Sequence, residues 1–256
     1  MPLAAQVDGD VITLQEYEKE VLRYETGLDV LGWDPATQGD YRTTVLEQMI
    51  NERLIVQAAL SQGHTLTEGE LEAVLEESVI AGGGTAGFDE WLELNQYTPD
   101  EFRQELRDQL LASMVQGDVV AQVPERAEQV HARHLLVATV EEAEELLAQL
   151  ESGAEFAILA TQYSLDQSTR INGGDLGWFP RGFLTVPELE RVAFTQELRD
   201  PEGVIRTFLG FHLVETMERD PDRLLSPEAY LQLQQAAVES WLVELHQQAD
   251  IERYVP

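Results

Sequence analysis

Cysteine is missing altogether from the 256 residues. Its absence excludes disulfides, thiolate metal sites and a cysteine nucleophile, so packing alone must hold the fold. Positive charge is nearly as scarce: 16 Lys and Arg stand against 48 Asp and Glu, the net charge is −32, and Lys19 is the only lysine. A chain this anionic repels phosphate backbones and anionic lipid, which argues against nucleic-acid binding and charge-driven membrane association. Charge-steered partners should be basic, although an acidic, lysine-poor surface also suits a solubility adaptation, for instance to salt. Long apolar runs are missing too, and nothing approaches the ~18 consecutive apolar residues of a transmembrane segment. The N-terminus, MPLAAQVDGDVIT, lacks the charged and apolar blocks of a signal peptide. That leaves either a cytoplasmic protein or one whose export signal or anchor has been removed. No cluster has metal-ligand spacing. The apolar content of 43% is ordinary and allows a buried core.

The first 122 residues read as helical apart from one short strand, Val7–Thr13 (VDGDVIT), with an Asp-Gly turn. Thr13 and Glu16 form a capping-box pattern, in which each side chain reaches a free backbone N–H of the other. Leu14, Tyr17, Val21 and Tyr24 follow at helical spacing as far as Gly27, a residue suited to end a helix. A long helix from about Asp40 to Gln62 carries Leu46, Met49, Ile50, Leu54 and Ala58 as its apolar stripe. Thr67 and Glu70 repeat the capping box. AGGGTAG (81–87) is a flexible break without the Lys-Ser/Thr ending of a nucleotide-binding loop. Phe88–Gln96 reads as a short helix burying Trp91 and Leu92. Thr98, Pro99 and Glu101 open another helix with a third capping box and proline at its first position, and Phe102, Leu106, Leu110 and Met114 face inward. Pro124 marks a linker. Far downstream, Ser226-Pro227-Glu228 opens a helix bearing Leu231, Leu233, Ala237, Trp241, Leu242 and Leu245. That apolar surface must be buried, either on the N-terminal unit or against a partner.

The most distinctive stretch is Ile171–Phe194, INGGDLGWFPRGFLTVPELERVAF. Gly173 and Gly174 reach backbone conformations closed to other residues. Gly177 and Gly182 bracket Trp178, Phe179 and Pro180, which suits a tight turn forming a hydrophobic pocket wall. On either side, RHLLVAT and LGFHLVET each place a His in a short strand-like run. Between them Glu141–Leu150 reads as an acidic-faced helix, Phe156, Leu159 and Tyr163 lie on a second, and Leu189, Val192 and Ala193 on a third. The order strand, helix, helix, turn, helix, strand fits a small sheet wrapped by helices.

Four ordered blocks, RHLLV (133–137), FAILATQYSLD (156–166), NGGDLGWFPRG (172–182) and LGFHLVE (209–215), resemble a parvulin-type peptidyl-prolyl isomerase domain over Arg133–Glu218. The earlier patterns VDGDVIT, LEQMINERLIVQAALSQG, LTEGELEAVL and TPDEFRQELRDQLL resemble the N-terminal domain of SurA/PrsA-like extracytoplasmic foldases. The resemblance implies an α+β protein in three parts. A helical chaperone-like domain covers 1–125, and a parvulin-like domain with a small antiparallel sheet covers 126–221. A C-terminal helix within 222–256 packs on the N-terminal domain and completes it. It further implies an isomerase and foldase for unfolded or exported, proline-containing polypeptides, working extracytoplasmically without a cofactor. Oligomeric state is not implied.

Rotation about an X–Pro bond crosses a barrier of ~18–20 kcal/mol set by amide resonance, and takes tens to hundreds of seconds unaided. No nucleophile is needed, only an apolar slot for the ring and polar groups that favour the twisted state. By resemblance, His134 and His212 are the paired histidines of neighbouring strands, and they orient Asp166 and Thr207. Asp166 either polarises the substrate carbonyl region or, if burial raises its pKa, donates a hydrogen bond. Leu176, Phe179, Leu184, Leu189 and Phe194 are assigned to the proline slot, with Phe194 closing it. The chain departs from the family pattern in RGFLTVPEL, one residue longer and with Leu189 at a phenylalanine position. LRDPEGVIRT is shorter, and Phe208-Leu209-Gly210 replaces Gln-Phe-Gly. These departures motivate a second reading, a holdase chaperone with a weak or inactive isomerase domain. ATVEEAEE after the first strand lacks the Arg or Lys of phosphate-specific parvulins, which argues against phosphoserine-proline recognition.

Overall fold

The computed structural model describes residues 2–255. They form two compact units, one running to Ala121 and resuming at Val238, the other spanning Gln122–Ala237.

In the first unit, β1 (Leu3–Val7) and β2 (Asp10–Thr13) pair as an antiparallel hairpin. This corrects the single strand expected over Val7–Thr13. Asp8 and Gly9 adopt φ of 50° and 88°, so the Asp-Gly pair is itself the two-residue hairpin turn. α1 (Leu14–Val30) opens with both capping-box bonds, Thr13 N–H to Glu16 at 2.8 Å and Glu16 N–H to Thr13 Oγ1 at 3.2 Å. It runs past Gly27, and the left-handed residue after its end is Gly32 (φ 73°). α2 (Tyr41–Ser61) is capped by Asp40, and α3 (Glu68–Ala81) by the Thr67–Glu70 box. α4 (Thr85–Leu94) begins inside the supposed glycine break. It buries Leu92 but leaves Trp91 42% exposed, its ring stacked between Phe88 and Tyr97. α5 (Pro99–Ala121) buries Leu111 and Val115 most deeply, while Phe102, Leu106, Leu110 and Met114 are half-buried. The main core gathers Val7, Ile12, Tyr17, Val21, Leu46 and Ile50. Each such fully buried large side chain contributes about 1.5–3 kcal/mol relative to exposure.

The second unit contains β3 (Arg126–Val137), α6 (Val140–Glu151), α7 (Phe156–Tyr163), the single turn α8 (Gln167–Arg170), β4 (Asp175–Pro180), α9 (Pro187–Thr195), β5 (Ile205–Thr207) and β6 (Gly210–Leu224). The strands form an antiparallel sheet in the order β4-β3-β6-β5. The aromatic segment expected as a turn is therefore mostly an edge strand. Phe179 pairs with Val130 and Trp178 with His131, and only Arg181-Gly182 turns. Period-two alternation explains it: Phe179 is fully buried on one face, while Trp178 stacks on His131 at 5.6 Å.

The same alternation splits β3 between two cores. Val130 and Ala132 face α9 with Phe179, Leu189, Ala193 and Val214. Leu135 and Val137 face α6 and α7 with Leu146, Phe156 and Leu213. His134 on β3 and His212 on β6 belong to the α9 side, two residues along from Ala132 and Val214 respectively. α10 (Pro227–Gln248) runs from the second unit into the first, where Trp241 packs on Ala59, Leu111 and Val115, and Leu245 on the main core. β7 (Ile251–Arg253) then pairs with β1, on the edge opposite β2.

Candidate active site

Local chemistry brings the polar residues together. Beyond His134 the β4 edge of β3 is open, and a different segment takes it. Leu165 N–H donates to Leu136 O at 2.7 Å, while the buried Ser164 hydroxyl accepts from the N–H groups of Leu136 and Asp166 at 3.1 and 3.3 Å. That stitching lays Asp166 beside His134. The glycine pair closes the other side. His134 N–H donates to Gly174 O at 2.9 Å, and a Cβ on Gly174 would sit 1.9 Å from His134 O. Gly173 and Gly174 also hold φ of 69° and 81°. Both space and conformation demand glycine where the chain crosses the histidine strand.

His134, Asp166, Thr207 and His212 form one hydrogen-bonded chain. His134 Nε2 lies 2.8 Å from Asp166 Oδ2, the two Nδ1 atoms of His134 and His212 are 3.3 Å apart, and His212 Nε2 lies 2.9 Å from Thr207 Oγ1. The rings stack at 5.5 Å, tilted by 17°. Burial alone would push the Asp166 carboxyl up. Hydrogen bonds from Ser168, Thr169 and His134 together outweigh it, and the group lies well below the usual carboxylate range. This corrects the expectation that burial could turn Asp166 into a donor. Both oxygens are occupied as acceptors, Oδ1 by the Ser168 N–H (3.0 Å) and hydroxyl (2.6 Å), Oδ2 by Thr169 (2.6 Å) and His134. Burial, and then the neighbouring His134, push His212 down to about 4.

With Asp166 ionised, His212 neutral and one proton on the His134 ring, the tautomers follow from the partners. His134 donates from Nε2 to Asp166. Its Nδ1 accepts from His212 Nδ1–H, and His212 Nε2 accepts from the Thr207 hydroxyl. Thr207 Oγ1 in turn accepts from Leu209 N–H at 3.1 Å. Every proton points one way, toward the carboxylate.

An apolar slot of about 520 Å³ opens against this chain, with Leu136, Leu176, Leu184, Val186, Leu189 and Leu209 beside the polar residues. Leu176, Leu184 and Leu189 thus line it as grouped from the sequence. Phe179 and Phe194 do not line it. Phe194 is 3% exposed, packs edge-to-face on Phe179 at 6.0 Å, and carries the Arg181 guanidinium 4.1 Å above its ring. The two phenylalanines back the slot from within the core; Phe194 does not close it. Thr207 touches His212 and is likewise off the lining.

Sequence reasoning missed Glu190. Its carboxylate accepts from the N–H groups of Gly182, Phe183 and Leu184 at 2.8, 3.0 and 3.1 Å, and so holds the loop that presents Leu184. The available signal was an acid one helical turn into α9, facing back at a glycine turn. Ser164, Ser168 and Thr169 were missed as well. Among the described residues no group of three or more His, Asp and Glu is placed to hold a metal ion, and no helix is long and apolar enough to cross a membrane.

Comparison with known proteins finds family matches along most of the chain. Residues 119–220 match the PPIC-type PPIASE domain family, and residues 2–116 match the SurA-like N-terminal domain family. The chain is 28% identical over 239 residues to the foldase protein PrsA of Caldanaerobacter subterraneus subsp. tengcongensis, covering 84% of this chain and 72% of that protein. It is 34% identical over 142 residues to the chaperone SurA of Methylobacillus flagellatus, covering 49% of this chain and 32% of that one, so it spans only about a third of that relative. The crystal structure of the PrsA peptidylprolyl isomerase from Bacillus anthracis shares the fold. Its TM-score is 0.51 at 21% identity, covering 79% of this chain and 94% of that one.

Proposed function

This chain belongs to the parvulin-type peptidyl-prolyl isomerases of the SurA/PrsA-like foldase group, and from that premise we propose how it works and on what. It speeds cis–trans rotation about X–Pro bonds in unfolded or exported polypeptides. One observation carries the reading: an apolar slot of about 520 Å³, roomy enough for a proline and its neighbours, ends on an ionised carboxylate held by the Asp166–His134–His212–Thr207 chain.

The proline ring lies among Leu176, Leu184 and Leu189, with Phe179 and Phe194 making the wall behind them stiff. The slot excludes water from the imide. Amide resonance places negative charge on the carbonyl oxygen, and that form needs solvation. A poorly hydrated site with a fixed negative charge nearby disfavours it, so the C–N bond loses double-bond character and the twisted state is approached at lower cost. The histidines are positioning residues. They keep Asp166 ionised and aimed, and take no proton from substrate.

Acceleration of Ala-Pro peptide exchange, and of a refolding step limited by proline isomerisation, tests the reading. Absence of both in folded protein moves it to the holdase alternative. That alternative draws on apolar side chains exposed on the helical unit, among them Trp33, Ile80 and Leu94. It requires suppression of aggregation without isomerisation. We place the work outside the cytoplasm, following the SurA- and PrsA-named relatives; fractionation of the native host decides between that and a cytoplasmic location.

A further inference from the structure

The charge around the slot is one-sided. The charged or titratable groups that bear on His212 are His134, Asp166 and Glu188, with no lysine or arginine among them. Asp166 is the one Asp, Glu, Lys or Arg among the slot-lining residues. Asp166 has its oxygens occupied by Ser168, Thr169 and His134. Glu188 is different. It sits in the first turn of α9 between the lining residues Val186 and Leu189, it is exposed, and among the described residues its side chain has no hydrogen bond or ion pair. Two nearby cations are committed, and the others, Arg191 one turn along α9 included, are exposed, stand off the slot lining as Glu188 itself does, and are not among the groups that bear on His212. Arg133 pairs with Glu215, and Arg181 with Glu128, while Arg170 and Arg206 are exposed and do not line the slot. Moreover, the chain that leaves the slot at Leu136 and returns at Leu165 to Thr169 contains seven carboxylates and no lysine or arginine over 137–169.

We propose that the slot selects prolines flanked by lysine or arginine, and that Glu188 is the residue that reads the flanking positive charge. The inference rests on the slot being the prolyl site. A peptide whose proline enters between Leu184 and Leu189 must run its neighbouring side chains along the rim. There Glu188 offers an exposed carboxylate, and a flanking ammonium or guanidinium pairs with it. A flanking carboxylate meets repulsion from Glu188 and Asp166 together. The net charge of −32 adds long-range attraction for basic segments and speeds their encounter.

The test uses the full chain and short peptides that differ only in Lys, Ala or Glu, placed before the proline in one set and after it in another. Binding is read by amide shift titration and turnover by exchange spectroscopy. In at least one set, Lys should exceed Ala by about two- to fivefold in affinity, the scale of an exposed ion pair, with Glu below Ala. The Lys-to-Glu ratio should fall toward one in E188Q, invert in E188K, and shrink at about 1 M salt, where the screening length is ~3 Å. Equal Lys and Glu peptides in both sets, or a ratio unchanged in E188Q, overturn the proposal. If Ala-Pro is isomerised while the ratios are flat, the charge inference fails and the isomerase reading stands. If the Lys preference and its loss in E188Q appear in binding without any turnover, the isomerase reading fails and the charge inference stands.

Discussion

His212 makes the stability of the isomerase unit depend on pH in a direction that can be worked out. Its side chain is 1% exposed, and its pKa falls from 6.5 to about 4. The folded state therefore holds His212 neutral in a range where the unfolded chain would protonate it. Between those two values the unfolded state binds the extra proton, so stability rises with pH. The contribution is complete above about 6.5 and is lost as pH falls toward 4. At roughly 1.36 kcal/mol per factor of ten, the full loss is about 3 kcal/mol. In structural terms, a protonated His212 would present N–H groups to both the Thr207 hydroxyl and the His134 Nδ1. Thr207 must then rotate, and the one-way chain is interrupted. Urea unfolding at pH 7 and pH 4.5, followed through amide signals of β3 and β6, measures this. His212→Asn removes the titration while keeping a donor and an acceptor at the site, and should flatten the pH slope by most of that amount. A direct proton titration of the His212 ring should show no midpoint near 6.5. If it titrates near 6.5, or if the His212→Asn slope matches the wild type, this electrostatic account is refuted.

Two further substitutions probe the supports of the site. Gly174→Ala puts a Cβ 1.9 Å from His134 O at a φ of 81°, so the crossing segment must shift. It should lower stability by about 2–4 kcal/mol, read as a drop in the thermal midpoint together with large shift changes at His134. An unchanged midpoint would show that the crossing is looser than described. Glu190→Gln leaves only one acceptor oxygen for three N–H groups of the Gly182–Leu184 loop. It should raise KM for prolyl peptides several-fold with little change in kcat, at a stability cost of about 1–2 kcal/mol. Equal losses in both kinetic constants would mean that Glu190 does more than hold Leu184.

What was legible in the sequence was mostly local. The Thr13–Glu16, Thr67–Glu70 and Thr98–Glu101 boxes all form, because a cap needs only residues three apart. Gly173 and Gly174 stood out because their chemistry is unusual, and the structure supplies the reason in the close approach to His134 and Ala157. The grouping of His134, Asp166, Thr207 and His212 came from motif order, and the hydrogen-bonded chain joins the same four. Features set by distant partners were harder to read. β4 looked like a turn because its glycines and Pro180 dominate the local signal, yet pairing with β3 makes it a strand. Phe194 was assigned to the slot by its place in the family motif, but α9 turns it into the core against Phe179. The direction of the Asp166 shift depends on counting donors from Ser168, Thr169 and His134, which no pattern along the chain displays.

The proposed mechanism rests on a fixed negative charge at Asp166, beside an apolar proline slot, speeding imide rotation. The most direct measurement is exchange spectroscopy on a short Ala-Pro peptide with the wild type and Asp166→Asn side by side. The variant keeps an oxygen for the Ser168 cap but removes the charge. The account predicts clear acceleration by the wild type and at least a tenfold fall in the folded variant, equivalent to about 1.4 kcal/mol of lost transition-state stabilisation. Equal rates from the two proteins, or none from the wild type, would contradict it.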